Sequence, residues 1–111
     1  MTNILKYDVV IVKFPFASSL KYKARPAVVV SSDDYNASRR DTLLILAISS
    51  GFENKLDFEV ELEDWKETGL LKPSLFKAAI ATIEKESVIS KVGALSTIDK
   101  NKLDKMVGLI C

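Results

Sequence analysis

The chain has 111 residues, the length of one domain, and 48% of them are hydrophobic, enough to form a single core. With 16 basic and 15 acidic residues its net charge is +1, so overall charge favours no class of partner and any anion must be bound by a local patch. Histidine is absent and the one cysteine is Cys111, which excludes histidine-based catalysis, histidine or thiolate zinc sites and an intramolecular disulfide. We therefore expect a cytoplasmic, reducing location, and no apolar run is long enough to predict a membrane span.

The N-terminal part of the chain predicts two strands joined by a loop. Residues 7–14 are rich in Val and Ile and are followed by Pro15, which ends the strand. Residues 16–24 read as a loop. Residues 25–31 form a near-continuous apolar run, the pattern of a strand that is covered on both faces, and Pro26 is expected only at its start because proline has no ladder donor.

The middle of the chain predicts a third apolar strand and an amphipathic one. Residues 32–40 form a polar connection with room for one helical turn, and residues 42–48 form the second fully apolar strand. Residues 56–63 alternate between apolar and acidic side chains, which predicts a half-buried strand with an acidic outer face. The residues predicted to face outward are Asp57, Glu59, Glu61 and Glu63.

The C-terminal part predicts a short turn, two strands and a helix. Asp64 is a candidate N-cap for a turn over residues 65–68 that Gly69 ends, and strands are expected over residues 74–83 and 88–94. Ser96 and Asp99 resemble a capping box that begins the last helix. The apolar residues expected on one face of that helix are Ile98, Leu103, Met106, Val107 and Ile110. The pattern as a whole predicts a mainly β domain, a small curved barrel with a C-terminal helix.

Three segments, taken in order, resemble the MazF/PemK family of toxins. They are YDVVIVKFPF followed after a loop by KARPAVVVSSDDYN, then TLLILAISS, then GLLKPSLFKAAIATIEKESVISKVGALS. The resemblance covers nearly the whole chain, as one domain over residues 1–111. It implies a small SH3-like barrel of the MazF/CcdB type with a C-terminal helix, acting as a homodimer.

The resemblance also implies a function. Members of this family are toxins of type II toxin–antitoxin pairs that cut single-stranded RNA without a metal or cofactor, leaving a 2′,3′-cyclic phosphate and a 5′-hydroxyl. The cognate antitoxin masks the site with a segment that folds on binding. Here that segment is expected to be acidic and apolar, so that it can occupy a basic groove near Lys21, Lys23 and Arg25.

Candidate catalytic residues follow from the aligned motifs. Arg25 stands where the family has its catalytic arginine, and a guanidinium can stabilise the charge on a phosphorane-like transition state with two parallel hydrogen bonds. Ser49 and Ser50 stand in place of a Thr/Ser pair, and Ser-Ser-Gly is also ordinary turn chemistry. Lys77 falls at or next to a basic catalytic position, where it would hold a phosphate or protonate the leaving 5′-oxygen.

The chain departs from the family at its carboxylates. Some members carry an acid two positions after the basic residue, where this chain has Ala79, and others carry one in the first loop, where it has Leu20. Residues of that loop are expected to bind RNA, because lysines can contact the phosphates of the RNA backbone and aromatic side chains can stack on the RNA bases. They are Ser18, Ser19, Lys21, Tyr22 and Lys23, and Arg39 with Arg40 would extend the patch.

Two other functions remain open at this stage. The CcdB branch uses a similar fold to poison DNA gyrase by protein–protein contact, in which case Arg25 and Ser49 would be incidental. The missing carboxylates also leave room for a degenerate member that binds RNA without cutting it.

Overall fold

The computed structural model describes residues 3–15, 22–38 and 41–111, without the side chains of residues 14, 15 and 22. These residues form six strands, three helices and a 3-10 turn. In chain order they are β1 Asp8–Pro15, β2 Tyr22–Val29, α1 Asp33–Asn36, β3 Thr42–Ser49, β4 Val60–Glu61, α2 Trp65–Thr68, β5 Leu75–Glu84, the 3-10 turn Lys85–Ser87, β6 Val88–Ala94 and α3 Thr97–Ile110.

The strands form one antiparallel sheet in the order β4-β5-β3-β2-β1-β6. Apolar side chains cover both of its faces. One face packs against the helices: Val28 of β2 and Leu46 of β3 share a buried cluster with Leu103 and Met106 of α3. The other face carries the cluster of Val10, Val12, Ala27, Val29, Leu43, Ile45 and Ile83. The central strands are thus apolar throughout because both of their faces are buried. The prediction of a mainly β domain with a C-terminal helix is confirmed.

The prediction for β2 is wrong at its start. The strand begins at Tyr22, inside the predicted loop, and Pro26 lies within it opposite Ile11 of β1. Proline is tolerated there because the ladder between β2 and β3 reaches only as far as Ala27. The first half of β2 is therefore hydrogen-bonded only to β1, as a strand at the edge of a sheet would be. Because no strand pairs with the other side of β2 at Pro26, its lack of an N–H costs no hydrogen bond of the sheet.

The alternation predicted for residues 56–63 is wrong in its first half, over residues 56–59, whereas Leu62 is buried and Glu61 and Glu63 are exposed as predicted. Only Val60–Glu61 pairs with β5, while Leu56 and Phe58 are 49% and 37% exposed and Glu59 is buried. The segment before β4 folds into a turn in which the backbone N–H of Glu59 donates to the oxygen of Leu56. The N–H of Leu56 donates in return to the Glu59 carboxylate. A turn has no period of two, so the sequence alternation does not translate into alternating faces.

The last helix begins as predicted but is held differently. The hydroxyl of Ser96 accepts a hydrogen bond from the N–H of Asp99. The predicted capping box fails because both oxygens of Asp99 accept from other backbone N–H groups, those of Glu63 and Asp64 at 2.8 and 2.9 Å. This bond joins α3 to the start of α2. Ile98 is 51% exposed rather than on the buried face.

The short helix α2 ends as predicted at Gly69, in the left-handed region at φ 103°, although no side-chain cap opens it at Asp64. Across the described ranges, the longest helix has 14 residues, and no helix combines the length and hydropathy that a membrane span requires.

Candidate active site

The candidate site lies on one face of the sheet, where β2 begins and β3 ends. The ladder between these strands ends at the pair Ala27 and Ala47. Arg25 precedes Ala27 by two residues and Ser49 follows Ala47 by two. Because side chains two apart on a strand share a face, Arg25 and Ser49 lie on adjacent strands and on the same face of the sheet.

Arg25 combines an anchored backbone with an exposed side chain. Its backbone is paired with Val12 of β1, which is fully buried, while Arg25 itself is exposed. Pro26, which follows, disfavours helical backbone at Arg25 and so supports the extended conformation. A guanidinium carried on a fixed strand can meet a phosphate in a defined direction.

Ser49 is the last residue of β3 and is half-buried opposite Leu75 of β5. Its Oγ accepts a hydrogen bond from the N–H of Gly51 at 3.0 Å. That bond uses a lone pair of the oxygen and leaves the hydroxyl proton to be donated. Ser50 lies beyond the strand end and is exposed, so Ser49 is the more firmly placed of the two hydroxyls.

Lys77 lies one strand further on, two residues after the partner of Ser49. The Lys77 side chain is 27% exposed, and its Nζ lies 3.0 Å from Oε1 of Glu59. Arg25, Ser49 and Lys77 therefore stand on three neighbouring strands, β2, β3 and β5.

Glu59 is a fully bonded carboxylate that is only 2% exposed. Its Oε1 accepts from the N–H of Leu56 at 2.8 Å and from Lys77, and its Oε2 accepts from the N–H of Ala78 at 2.7 Å. Burial acts to raise the pKa of Glu59, but the two backbone hydrogen bonds and the Lys77 ammonium outweigh it and hold the pKa below its usual range. The carboxylate is ionised at neutral pH.

Glu59 was predicted to face outward, because the sequence alternates between apolar and acidic residues over 56–63. One feature of the sequence could have drawn attention to it, since Lys77 interrupts the apolar segment SLFKAAIATI and a lysine among apolar residues favours an anionic partner. The pairing itself is visible only in the structure, where the ladder joins Val60 to Phe76 and Glu59 stands one step further along, next to Lys77.

The residues predicted to bind RNA are only partly described. Lys23 lies in β2 and is exposed. Tyr22 begins β2, but its side chain lies outside the described part, as do the whole of Ser18, Ser19, Lys21, Arg39 and Arg40. Within the described ranges no cluster of three or more histidine, cysteine or carboxylate side chains is placed to hold a metal ion.

A protein-family model described as "PemK-like, MazF-like toxin of type II toxin-antitoxin system" matches residues 5–111. A search of curated proteins by sequence gave no match.

Several solved structures have the same fold. An endoribonuclease in complex with its cognate antitoxin, from a mycobacterial species, is 17% identical, with 99% of this chain and 94% of that chain covered and a TM-score of 0.77. MazF from Deinococcus radiodurans is 17% identical over 99% and 97% of the two chains, with a TM-score of 0.77. The Mycobacterium tuberculosis toxin MazF-mt6 is 18% identical over 93% and 94%, with a TM-score of 0.74. The predicted fold class, a small MazF-type barrel with a C-terminal helix, is confirmed.

Proposed function

The chain belongs to the PemK-like, MazF-like toxins of type II toxin–antitoxin systems, and from that membership we propose that it is an endoribonuclease that cuts single-stranded RNA without a metal ion. The ribose 2′-hydroxyl attacks the adjacent phosphorus, a 2′,3′-cyclic phosphate forms and the 5′-oxygen leaves as a hydroxyl. Two of the similar structures are described as endoribonucleases, which supports the reaction class.

The observation that carries the proposal is the common face of Arg25 and Ser49 on adjacent strands, in a chain without histidine. Negative charge accumulates on the equatorial oxygens of the phosphorane-like transition state. Arg25 stabilises that charge, and the hydroxyl of Ser49, with Ser50 and the amides of the turn at Gly51, donates to the same phosphate. Lys77 supplies a proton to the leaving oxygen or a point charge to the phosphate.

The substrate is proposed to cross the beginning of β2. The exposed Lys23 stands beside Arg25, and Ser19, Lys21 and Tyr22 of the adjoining segment would bind the RNA backbone and stack on a base. The exposed carboxylates of Asp57, Glu61 and Glu63 would repel RNA from the edge of the sheet at β4.

The proposed partners are a second copy of the chain and a cognate antitoxin. A mycobacterial endoribonuclease of the same fold is seen with its antitoxin, as is MazF of Deinococcus radiodurans with MazE. We propose that the antitoxin of this chain covers Lys21, Lys23 and Arg25 with an acidic, apolar segment. Binding of a basic tail near Asp57 and Glu61 would contradict this.

The proposal is tested by incubating the purified protein with a long single-stranded RNA in EDTA and mapping the fragment ends. We expect discrete cuts with 2′,3′-cyclic phosphate and 5′-hydroxyl ends. Arg25→Ala should lower the cleavage rate by about 10²–10³-fold, the loss typical of removing one positioned donor to a developing oxyanion. Lys13→Ala removes an exposed positive charge from the opposite face of the same strand pair and should cut at the wild-type rate.

Three results would contradict the proposal. Intact RNA together with inhibited DNA gyrase would indicate a gyrase poison. Tight RNA binding without cuts would indicate a degenerate member. Equal losses in the Arg25 and Lys13 variants would indicate that only general electrostatic attraction was being measured.

A further inference from the structure

Glu59 is a buried charge whose role is not explained by stability. Removing a carboxylate from water is costly, and buried ion pairs can often be replaced by apolar side chains without loss of stability. Its neighbours in sequence, Leu56 and Phe58, are exposed, so the chain turns apolar groups outward at this point while it turns a charge inward. The burial of Glu59 must therefore be explained by the groups that its carboxylate contacts.

Those groups belong to an irregular stretch of β5. The ladder between β3 and β5 passes from Ile48–Phe76 to Leu46–Ile80, so three residues of β5, numbers 77 to 79, stand opposite one residue of β3. Bulges of this kind interrupt the ladder and redirect the strand next to active sites. The N–H of Ala78, in the middle of the stretch, donates to Oε2 of Glu59 at 2.7 Å. The carboxylate thus accepts the hydrogen bond of a backbone N–H in the stretch where the ladder between β3 and β5 is interrupted.

The same carboxylate also fixes the ammonium of Lys77. Nζ donates to Oε1 at 3.0 Å, and that oxygen is held in turn by the N–H of Leu56. A lysine side chain normally has much conformational freedom, which it would lose on meeting a substrate. Because Glu59 is itself held by backbone groups on both sides, Lys77 is restrained before RNA binds. One of its three protons is used, and the side chain is partly exposed.

We propose that Glu59 is a positioning residue, which holds Lys77 as the group that protonates the leaving 5′-oxygen; this inference rests on the function proposed above. In the step concerned, the 2′-oxygen forms a bond to phosphorus and its proton passes to water. The P–O5′ bond breaks with its electron pair going to O5′, which takes a proton from Nζ. The ammonium is then restored from solvent. Glu59 does not act as the base, since its oxygens are buried and already accept three hydrogen bonds.

The test uses a short RNA that spans a mapped cut, made with either oxygen or sulfur as the bridging 5′ atom. A thiolate leaves without protonation, so the sulfur substrate has no need of a general acid. We expect Lys77→Met to lower kcat on the oxygen substrate by about 10²-fold or more. Glu59→Gln, which keeps the shape but not the charge, should lower kcat by about 10- to 10²-fold with little change in KM, the effect of misplacing a reacting group. On the sulfur substrate both variants should cut at the wild-type rate.

Glu61→Gln is the matched control, because Glu61 is an exposed carboxylate two residues further along the chain, on β4, and its variant should cut both substrates normally. If Glu59→Gln fails to fold in a thermal melt, Glu59→Asp keeps the charge and withdraws it by one methylene. It should show a loss on the oxygen substrate that disappears with sulfur.

The outcomes separate this inference from the proposed function. A wild-type protein that cuts neither substrate overturns both. Two other results, obtained with a wild-type protein that cuts, overturn only the positioning role. In one, the Glu59 variant cuts the oxygen substrate as fast as the wild type; in the other, the variant is slowed by the same factor on both substrates.

Discussion

At the scale of single residues, three buried carboxylates connect parts of the fold that are far apart in sequence. Asp8 accepts from the N–H of Leu5 and pairs with Lys91 at 3.2 Å, Asp99 accepts from two N–H groups before α2, and Glu59 binds Lys77. In the part of the chain that the structure describes, each buried side-chain polar atom has a partner. Buried charge is stable here because backbone donors and lysines replace its hydration.

Tyr7, the residue that precedes β1, also connects distant parts of the chain. It has a left-handed backbone with φ 74°, and its hydroxyl donates to the carboxylate of Asp104 on α3, with both oxygens at 2.8 Å. Its backbone N–H and C=O are bonded to Val29 and Leu95. Burial, the hydrogen bond to Asp104 and the charge of that residue together raise the pKa of Tyr7 to about 12.

The stability lost in Tyr7→Phe is therefore expected to depend on pH. The protonated phenol is favoured in the folded state, so its contribution to stability is present below the ordinary pKa of 10.0 and is lost as the pH rises towards 12. The wild-type minus Tyr7→Phe difference in tyrosinate absorbance should have its midpoint near pH 12. Far-ultraviolet circular dichroism of the same samples reports the folded fraction. A midpoint near 10 in folded protein would contradict the hydrogen bond to Asp104.

At the scale of elements, the contact between α2 and β6 depends on a glycine. A Cβ on Gly93 of β6 would lie 2.2 Å from the backbone oxygen of Thr68, the last residue of α2. Backbone cannot move aside as a flexible side chain can, so the two elements touch at the closest distance that glycine allows. By contrast, a Cβ on Gly108, within α3, would meet nothing within 4 Å.

These two glycines make a matched pair of variants. Gly93→Ala should destabilise the protein by about 1–3 kcal/mol, because α2 must shift away from β6. Gly108→Ala should stabilise it by roughly 0.5–1 kcal/mol, since alanine is the better helix former. Urea titration of both variants measures the difference. If Gly93→Ala were as stable as Gly108→Ala, the close packing of α2 on β6 would be wrong.

At the scale of the whole molecule, sequence patterns predicted the elements whose bounds depend on interactions between residues close in sequence. The bounds of β3, β6 and α3 follow from apolar runs, turn residues and the Ser96 cap, and all three were predicted to within about two residues. The inward turn of Glu59 and the place of Pro26 inside β2 were not predicted. Both depend on which strand lies alongside, and a single strand's periodicity carries no information about its neighbours.

The same division applies to the candidate site. The residue types and order of Arg25, Ser49 and Lys77 were accessible from motifs, and the register adds that they share one region of the sheet. The positions where some family members carry a carboxylate are Leu20 and Ala79 in this chain, and no motif pointed to a carboxylate elsewhere. Glu59, which stands next to Lys77, comes from a segment 18 residues earlier in the chain, and only the pairing of β4 with β5 brings it there.

The most direct test of the account is a double-mutant cycle on Arg25 and Ser49, measured as kcat/KM for RNA cleavage in EDTA. If both groups stabilise the charge on one phosphate, their effects are not independent. Arg25→Ala should lower kcat/KM by about 10²–10³-fold, Ser49→Ala should lower it by a smaller factor, and the double variant should lose little more than Arg25→Ala alone. Losses that simply multiply, or an Arg25→Ala protein that cuts at the wild-type rate, would contradict a shared phosphate site.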